Sequence, residues 1–295
     1  GASPVYATVL TPKGKFLHDV IFYRDDSEGA HPGSLLMEVD VSGRQRAIDW
    51  LTRYKLRRAV DITDTAGSHL VWVQFGQSVS NQQQGWSPDP RLPGLGLRGV
   101  FPSTSRPCPQ EAEQSSSSTA GVGSAQDLYR EWRYMHGVAE GEVEIPTDKA
   151  APLDYNTDVL QGVSYVKGCY IGQERNSFTH YRGVIRKRCM PFRLTDPAAA
   201  GSISVGEDLI VAGTGEVAGT VRGVAGFHGL TYVKMQTAAA AVAGAVELHT
   251  KTSGARVVPF RPEWWPAEWG QEESGAVPAG EQIPQADASA AVAVN

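Results

Sequence analysis

The sequence predicts an α+β chain, a mixed layer of strands and helices followed by a small C-terminal antiparallel β-barrel. Three observations carry this. Up to about residue 75, runs of strand composition flank a helical run. A second helical pattern follows Ser124. Beyond Arg186 the chain turns to short apolar runs broken by glycine, the texture of a small barrel. With 295 residues, 41% of them hydrophobic, there is material for one large domain or two modest ones.

The elements follow in order. An extended segment is under way by Val5, and residues 16–23 (FLHDVIFY) and 34–39 (SLLMEV) read as paired strands with a turn around Gly29 and Pro32. Ser42 and Gln45 form a capping-box pattern ahead of Ala47, Ile48, Leu51 and Tyr54, which recur on one helical face. That helix ends in RYKLRR, where Arg53, Lys55, Arg57 and Arg58 either complement the helix dipole at a solvated terminus or form a binding patch. Strands are predicted at 60–62 and 69–75, giving a strand, strand, helix, strand, strand order. Residues 81–123 are rich in Ser, Pro and Gly, and the part from 103 to 123 reads as a mobile insertion that carries Cys108. Order returns at Ser124, which caps a helix with Asp127. Its apolar stripe is Leu128, Tyr129, Trp132 and Met135 or His136, and Gly137 ends it. The barrel strands are CMPFRL, DLIV, GEVAGTV, LTYVKM, AVEL and ARVVPF, and the acidic, Ala-rich stretch from 270 to 295 reads as a disordered tail. The division is therefore 1–102 and 124–185 as two parts of one domain around the insertion 103–123, a barrel at 186–262, and the tail 270–295.

Charge and cysteine usage exclude several classes. Lys plus Arg count 27 against 32 Asp plus Glu, a net charge of −5, which argues against a partner held through nucleic-acid phosphates. Cys108, Cys169 and Cys189 build no disulfide framework and no zinc array, so a reducing compartment fits. The apolar stretch 238–246 is too short to insert in a membrane. A chain that begins at Gly1 has the look of a processed or truncated product.

The chemistry concentrates in Lys167, Gly168, Cys169, Tyr170, Ile171, Gly172, Gln173 and Glu174. A thiol stands between two glycines, with an ammonium two residues before it and a carboxylate five after. Glycines permit a bend and close approach, a nearby Lys stabilises a thiolate as nucleophile or metal ligand, and Glu174 is placed to exchange a proton. The residues alone leave this reading open against that of a buried cysteine acting as a small hydrophobe, which is the reading favoured for Cys189. The basic run Arg175, Arg182, Arg186, Lys187, Arg188 and Arg193 fits a solvated inter-domain strand or a site for an acidic partner. His180 reads as a hydrogen-bonded structural residue, since no second metal ligand stands at a recognisable spacing.

The octet KGCYIGQE resembles the signature K-G-C-Y-x-G-Q-E of the YgfZ family of folate-binding iron–sulfur cluster assembly factors, which is related to the T-protein of the glycine cleavage system. The likeness extends through TPKGKFLHDVIFYR, DPRLPGLGLR, YREWRYMHGV, PLDYNTDVLQGVS and HYRGVIRKR, in forms similar to the mitochondrial members. It implies a T-protein-like (aminomethyltransferase) fold with ferredoxin-like layers, tetrahydrofolate in a central cavity, and maturation of 4Fe-4S client enzymes such as aconitase, lipoate synthase and radical enzymes alongside A-type carrier proteins. It also implies a mitochondrial matrix location, with the plastid as the alternative. Cys169 then becomes a transient ligand of a shared cluster, and Trp132, Asp154, Asn156 and Arg182 become candidates for folate. An indole face at Trp132 suits a pterin ring, although helix packing explains its spacing equally. Asp154 stands where many relatives have Glu. Relatives carry a further strand and helix ahead of TPKGKF that help to enclose the folate, so the cavity is expected to be open here. A folate-dependent aminomethyl transferase and a thiol redox protein remain as other readings, and whether the protein turns over a substrate of its own is left open.

Overall fold

A computed structural model describes residues 3–27, 29–76, 84–105, 107, 124–266 and 269. Cys108, most of the predicted insertion and the predicted tail lie outside the described residues.

The chain opens with β1 (Val5–Leu10), β2 (Phe16–Arg24) and β3 (Leu35–Val39), an antiparallel sheet in that order. β2 is central, paired on both edges and buried along nearly its whole length, which explains why FLHDVIFY shows no clean alternation. Helix α1 (Arg44–Tyr54) follows, but the predicted capping box does not form. Asp40 instead accepts the backbone N–H and the hydroxyl of Ser42, at 2.8 and 2.7 Å, and starts a 3-10 turn that leads into the helix.

A second sheet orders β4 (His69–Gln74), β6 (Leu97–Pro102) and β5 (Ser87–Pro88) as β4–β6–β5. Residues 60–62, predicted as a strand, form no ladder and are irregular; Lys55 reaches across to the Val60 carbonyl at 2.7 Å and holds the segment against the end of α1.

Helix α2 (Ala125–Met135) carries the expected box, with Ser124 and Asp127 capping each other and Gly137 leaving the helix at φ +72°. Its deepest residues are Arg133 and Tyr134 rather than the predicted stripe. The reason is that α2 is covered on two sides. Trp132 faces Phe75 and Leu95 of the N-terminal layer, while Tyr134 lies against Gly223 of the barrel. One turn, α3 (Gly141–Glu144), and a 3-10 turn at Pro152–Tyr155 then lead to α4 (Gln173–Arg182).

Strands β7 (Lys187–Leu194), β8 (Asp208–Val211), β9 (Val217–Ala225), β10 (His228–Lys234), β11 (Leu248–Thr250) and β12 (Arg256–Pro259) close into an antiparallel barrel in the order β10–β7–β12–β11–β8–β9, with α5 (Met235–Val242) packed beside β12 and β10. The barrel is filled by Met190, Phe192, Leu194, Leu209, Val221, Val233, Leu248 and Val257. A separate cluster of Phe16, Tyr134, Ile145, Tyr155, Cys189 and Leu230 joins the layer to the barrel. Cys189 is thus a core residue, and burial pushes its thiol pKa up, which keeps it protonated and inert. No helix among the described residues is long and apolar enough to cross a membrane.

Candidate functional site

The octet folds as a surface loop running into α4, and Cys169 is exposed on it. Its two glycines do different work. Gly168 has open space where a Cβ would lie and a φ that any residue adopts. Gly172 sits at φ +79°, and a Cβ there would come within 2.5 Å of the Thr11 carbonyl oxygen and 2.8 Å of the Gly14 Cα. Only glycine allows this approach between the β1–β2 turn and the start of α4. The contact is then locked from the helix side. Asn176, almost fully buried, donates through Nδ2 to the carbonyls of Gly14 and Gly172, both at 3.1 Å. Gln173 completes the bend. Its Oε1 accepts the Tyr170 N–H at 3.3 Å while its own N–H returns to the Tyr170 carbonyl at 3.2 Å. Lys167 places its ammonium 5.1 Å from the Tyr170 ring centroid, a cation–π contact, and Glu174 stands exposed in the first turn of α4.

Around this bend the surface is aromatic and basic. Tyr165 and His180 stack at 3.8 Å, with Tyr181 edge-on to both. The hydrogen bond expected of His180 is replaced by that stack, and partial burial lowers its pKa against the opposing pull of Asp158. Phe178 and Tyr181 are 62% and 59% exposed, unusual for a helix of a compact fold. A cleft of about 810 Å³ lies beside the loop, lined by Pro12 and Lys13 on one side and by Tyr170–Arg175 and Phe178 on the other.

A second feature is a cavity of about 1,580 Å³ at the centre of the molecule, bordered by β2, β3, β4, α2, α3 and β9. Its wall holds a buried charge network. Arg91 bonds Asp89 at 2.7 Å and Glu140 at 2.6 Å, Arg98 bonds Glu38 at 3.0 Å, and Arg133 bonds Glu144 at 2.8 Å. Burial alone would raise the acids, but the guanidinium groups outweigh it. Asp89 is held below its usual range, and Glu140 well below it. Asp19 goes the other way, pushed up to about 6 by burial and by the charge on Glu140. Among the described residues, three donors in the cavity wall are buried with no acceptor at hydrogen-bond distance, Nε of Arg133, which stands 3.7 Å from Glu140, Nε of Arg222 and the indole N–H of Trp72.

The residues singled out from the sequence fall into three places. Cys169, Lys167, Gly168, Tyr170, Gly172, Gln173 and Glu174 form the loop, with Arg182 exposed at the far end of α4. Trp132 is half-buried and spends its indole N–H on the Leu95 carbonyl at 3.2 Å. Asp154 and Asn156 lie under the barrel. Asp154 accepts the Tyr232 hydroxyl at 2.8 Å, and burial raises its pKa against Tyr232 and nearby cations. Asn156, left-handed at φ 62°, donates to the Cys189 carbonyl at 2.8 Å and accepts from Arg188 at 3.2 Å. Among these, none of Trp132, Asp154, Asn156 and Arg182 borders the central cavity. Sequence reasoning passed over Gly14, Asn176, Asp19, Arg91, Arg98, Arg133 and Arg222. Arg91 and Arg98 carried a signal, as arginines in the otherwise uncharged stretch after Asp89.

Comparison with known proteins places these features. Residues 186–267 match the family model described as CAF17, C-terminal beta-barrel domain. "Iron-sulfur cluster assembly factor IBA57, mitochondrial" of Mus musculus is 34% identical over 90% of this chain and 74% of its own length. The Homo sapiens protein of the same name is 32% identical over 90% of this chain and 75% of its own length. A Neurospora crassa homologue is 35% identical over 68% of this chain and 48% of its own length. Among solved structures, the glycine cleavage system aminomethyltransferase T from Bartonella henselae shares the fold, with a TM-score of 0.57 at 13% identity over 89% of this chain and 76% of that one.

Proposed function

The chain belongs to the IBA57 family of iron–sulfur cluster assembly factors, and from that premise we propose that it serves iron–sulfur cluster assembly in the mitochondrial matrix with Cys169 as its working residue. The observation that carries the reading is the exposed thiol on a loop whose far side is pinned by Gly172, Gly14 and Asn176. A cysteine sulfur held in that way presents one soft ligand to a partner. Clusters take four protein ligands as a rule. Among the described residues no group of three or more His, Cys, Asp or Glu stands together to supply them. The remaining ligands therefore come from another protein, an A-type carrier, and the cluster passes onward to 4Fe-4S client enzymes. The test is spectroscopic. Mixed with a cluster-loaded A-type carrier, the wild-type chain perturbs the visible cluster absorption and circular dichroism, and Cys169→Ser does not. A Cys169→Ser variant that shared the cluster like the wild type would overturn the reading.

We further propose that the central cavity takes tetrahydrofolate. The donors left without acceptors on Arg133, Arg222 and Trp72 fit the carboxylates and ring carbonyl of such a ligand, and the ring of Trp72 offers an apolar wall. A bound reduced pterin supplies a nucleophilic ring nitrogen that accepts one-carbon units. Arg91, Arg98 and Arg133 hold Asp89 and Glu140 in their charged form and pair with Glu144, which fixes the shape of the wall. Titration of tetrahydrofolate followed by tryptophan fluorescence tests this, with Arg222→Met expected to weaken binding. Unchanged binding in Arg222→Met places the ligand elsewhere.

A further inference from the structure

We infer that the cleft between the β1–β2 turn and α4 is the docking site for an acidic segment of the protein that brings the other cluster ligands to Cys169; this rests on the reading of Cys169 as a cluster ligand. The cleft, about 810 Å³, abuts the functional loop directly, since its wall includes Tyr170, the neighbour of Cys169. Its rim is positive on balance, with Glu174 the acid in its lining. Lys13 and Arg175 line it, Lys167 lies over Tyr170, and Arg182 follows Arg175 two turns along α4 on the same face. Among the described residues none of these four side chains meets a carboxylate, whereas the interior Arg91, Arg98 and Arg133 each do. Lys15, behind the turn, is shifted down by burial and then by Arg175.

Between Arg175 and Arg182 stands Phe178, which lines the cleft and is 62% exposed. An aromatic anchor with cations free of carboxylates on both sides of it along α4, and one acid, Glu174, a turn before it, complements a partner surface with an apolar centre and a mainly acidic rim. Nucleic acid is the wrong occupant, because the rest of the chain brings the total to −5. A partner docked here meets Cys169 at the edge of its footprint, where a cluster can be shared without being buried beneath the interface.

Binding of a cluster-loaded A-type carrier, measured by calorimetry at low and at physiological salt, tests the inference. Arg175→Glu and Phe178→Ala change exposed side chains, so the fold is retained. Each is expected to weaken binding about tenfold or more, with Arg175→Glu also flattening the salt dependence. Cys169→Ser is expected to keep docking of the apo-carrier while losing the cluster signal. Carrier binding unchanged in both Arg175→Glu and Phe178→Ala, with cluster sharing intact, overturns the docking site and leaves the role of Cys169 standing. Docking lost in Arg175→Glu while Cys169→Ser still shares the cluster supports the site and overturns that role.

Discussion

Gly172→Ala separates a shaped site from a merely exposed cysteine. The perturbation adds one methyl group at φ +79°, a conformation that costs a non-glycine residue about 1 kcal/mol. The methyl also lands 2.8 Å from the Gly14 Cα and 2.5 Å from the Thr11 oxygen, both backbone atoms that no rotamer change can move. Carbon contacts normally lie at about 3.5–4.0 Å, so the turn and the helix must part by roughly 0.7 Å or more. Overpacking of this kind costs about 1–3 kcal/mol, and stretching the two Asn176 hydrogen bonds adds to it. A loss of about 2–4 kcal/mol results. Gly168→Ala is the internal control. Its Cβ meets nothing within 4 Å at an ordinary φ, so a change of only a few tenths of a kcal/mol is expected. Urea denaturation of both variants in a Cys108→Ser background gives the energies, and iodoacetamide alkylation of Cys169 reports the loop. Faster alkylation together with lost stability in Gly172→Ala alone is the expected result. Equal behaviour of the two variants would refute the close approach and the fixed position of the thiol that follows from it.

Asp19→Asn tests the cavity wall through pH. The folded-state value near 6 lies above the unfolded value of about 3.9, so the native protein takes up a proton that the unfolded chain releases between those two values. Ionised Asp19 therefore costs stability above pH 6, and the cost fades as pH falls towards 4. Asn keeps one acceptor for the Gly141 N–H, and the variant is expected to be more stable at pH 7 by an amount on the order of 2 kcal/mol, converging on wild type near pH 4. Parallel melting curves across that range would count against the burial of Asp19. Asn156→Ala removes a completely buried amide that ties the Cys189 carbonyl to the Arg188 guanidinium, and places Ala at φ 62°. A loss of about 2–4 kcal/mol in thermal unfolding is expected, because the Cys189 carbonyl loses its amide donor, the guanidinium keeps the Leu153 carbonyl but loses the Asn156 acceptor, and a non-glycine residue without a polar side chain is strained at this φ; a loss below about 1 kcal/mol would show that another group replaces the amide.

Elements whose signal is local were legible in the sequence. The barrel strands show through their short apolar runs and glycine breaks, and the Ser124–Asp127 box lies within one turn of helix. Gly172 was legible as part of a bend because two glycines flank the thiol, whereas the helix Gln173–Arg182 that follows it was not predicted. What escaped was set by distant partners. Strand β6 lies in a Pro- and Gly-rich stretch, and only its pairing with β4, residue for residue from His69–Pro102 to Gln74–Leu97, makes it a strand. The Ser42 box lost to Asp40, a neighbour already placed by the end of β3. The cavity network joins Arg98 to Glu38, 60 residues away, and no periodicity predicts that. Asn156 looked like a ligand residue because a polar side chain in a motif-like stretch invites that reading, yet its amide is consumed by backbone and by Arg188.

The distribution of charge ties the two halves of the site together. Acids outnumber bases in this chain, 32 to 27, so a random surface would be negative everywhere. Instead, acids are drawn inward to neutralise Arg91, Arg98 and Arg133 around the cavity, where an unpaired guanidinium would cost several kcal/mol. Among the described residues the cations around the Cys169 loop meet no carboxylate, so they stand in water where they cost little, and their field reaches outward by about 8–10 Å at physiological salt. On the docking inference, that field orients an approaching acidic segment before contact, on the face that carries the thiol. Buried pairing thus holds the cavity wall, and the Gly14–Gly172 approach links the sheet that borders the cavity to the helix that follows the Cys169 loop, so a change at either end of that contact is felt at the other.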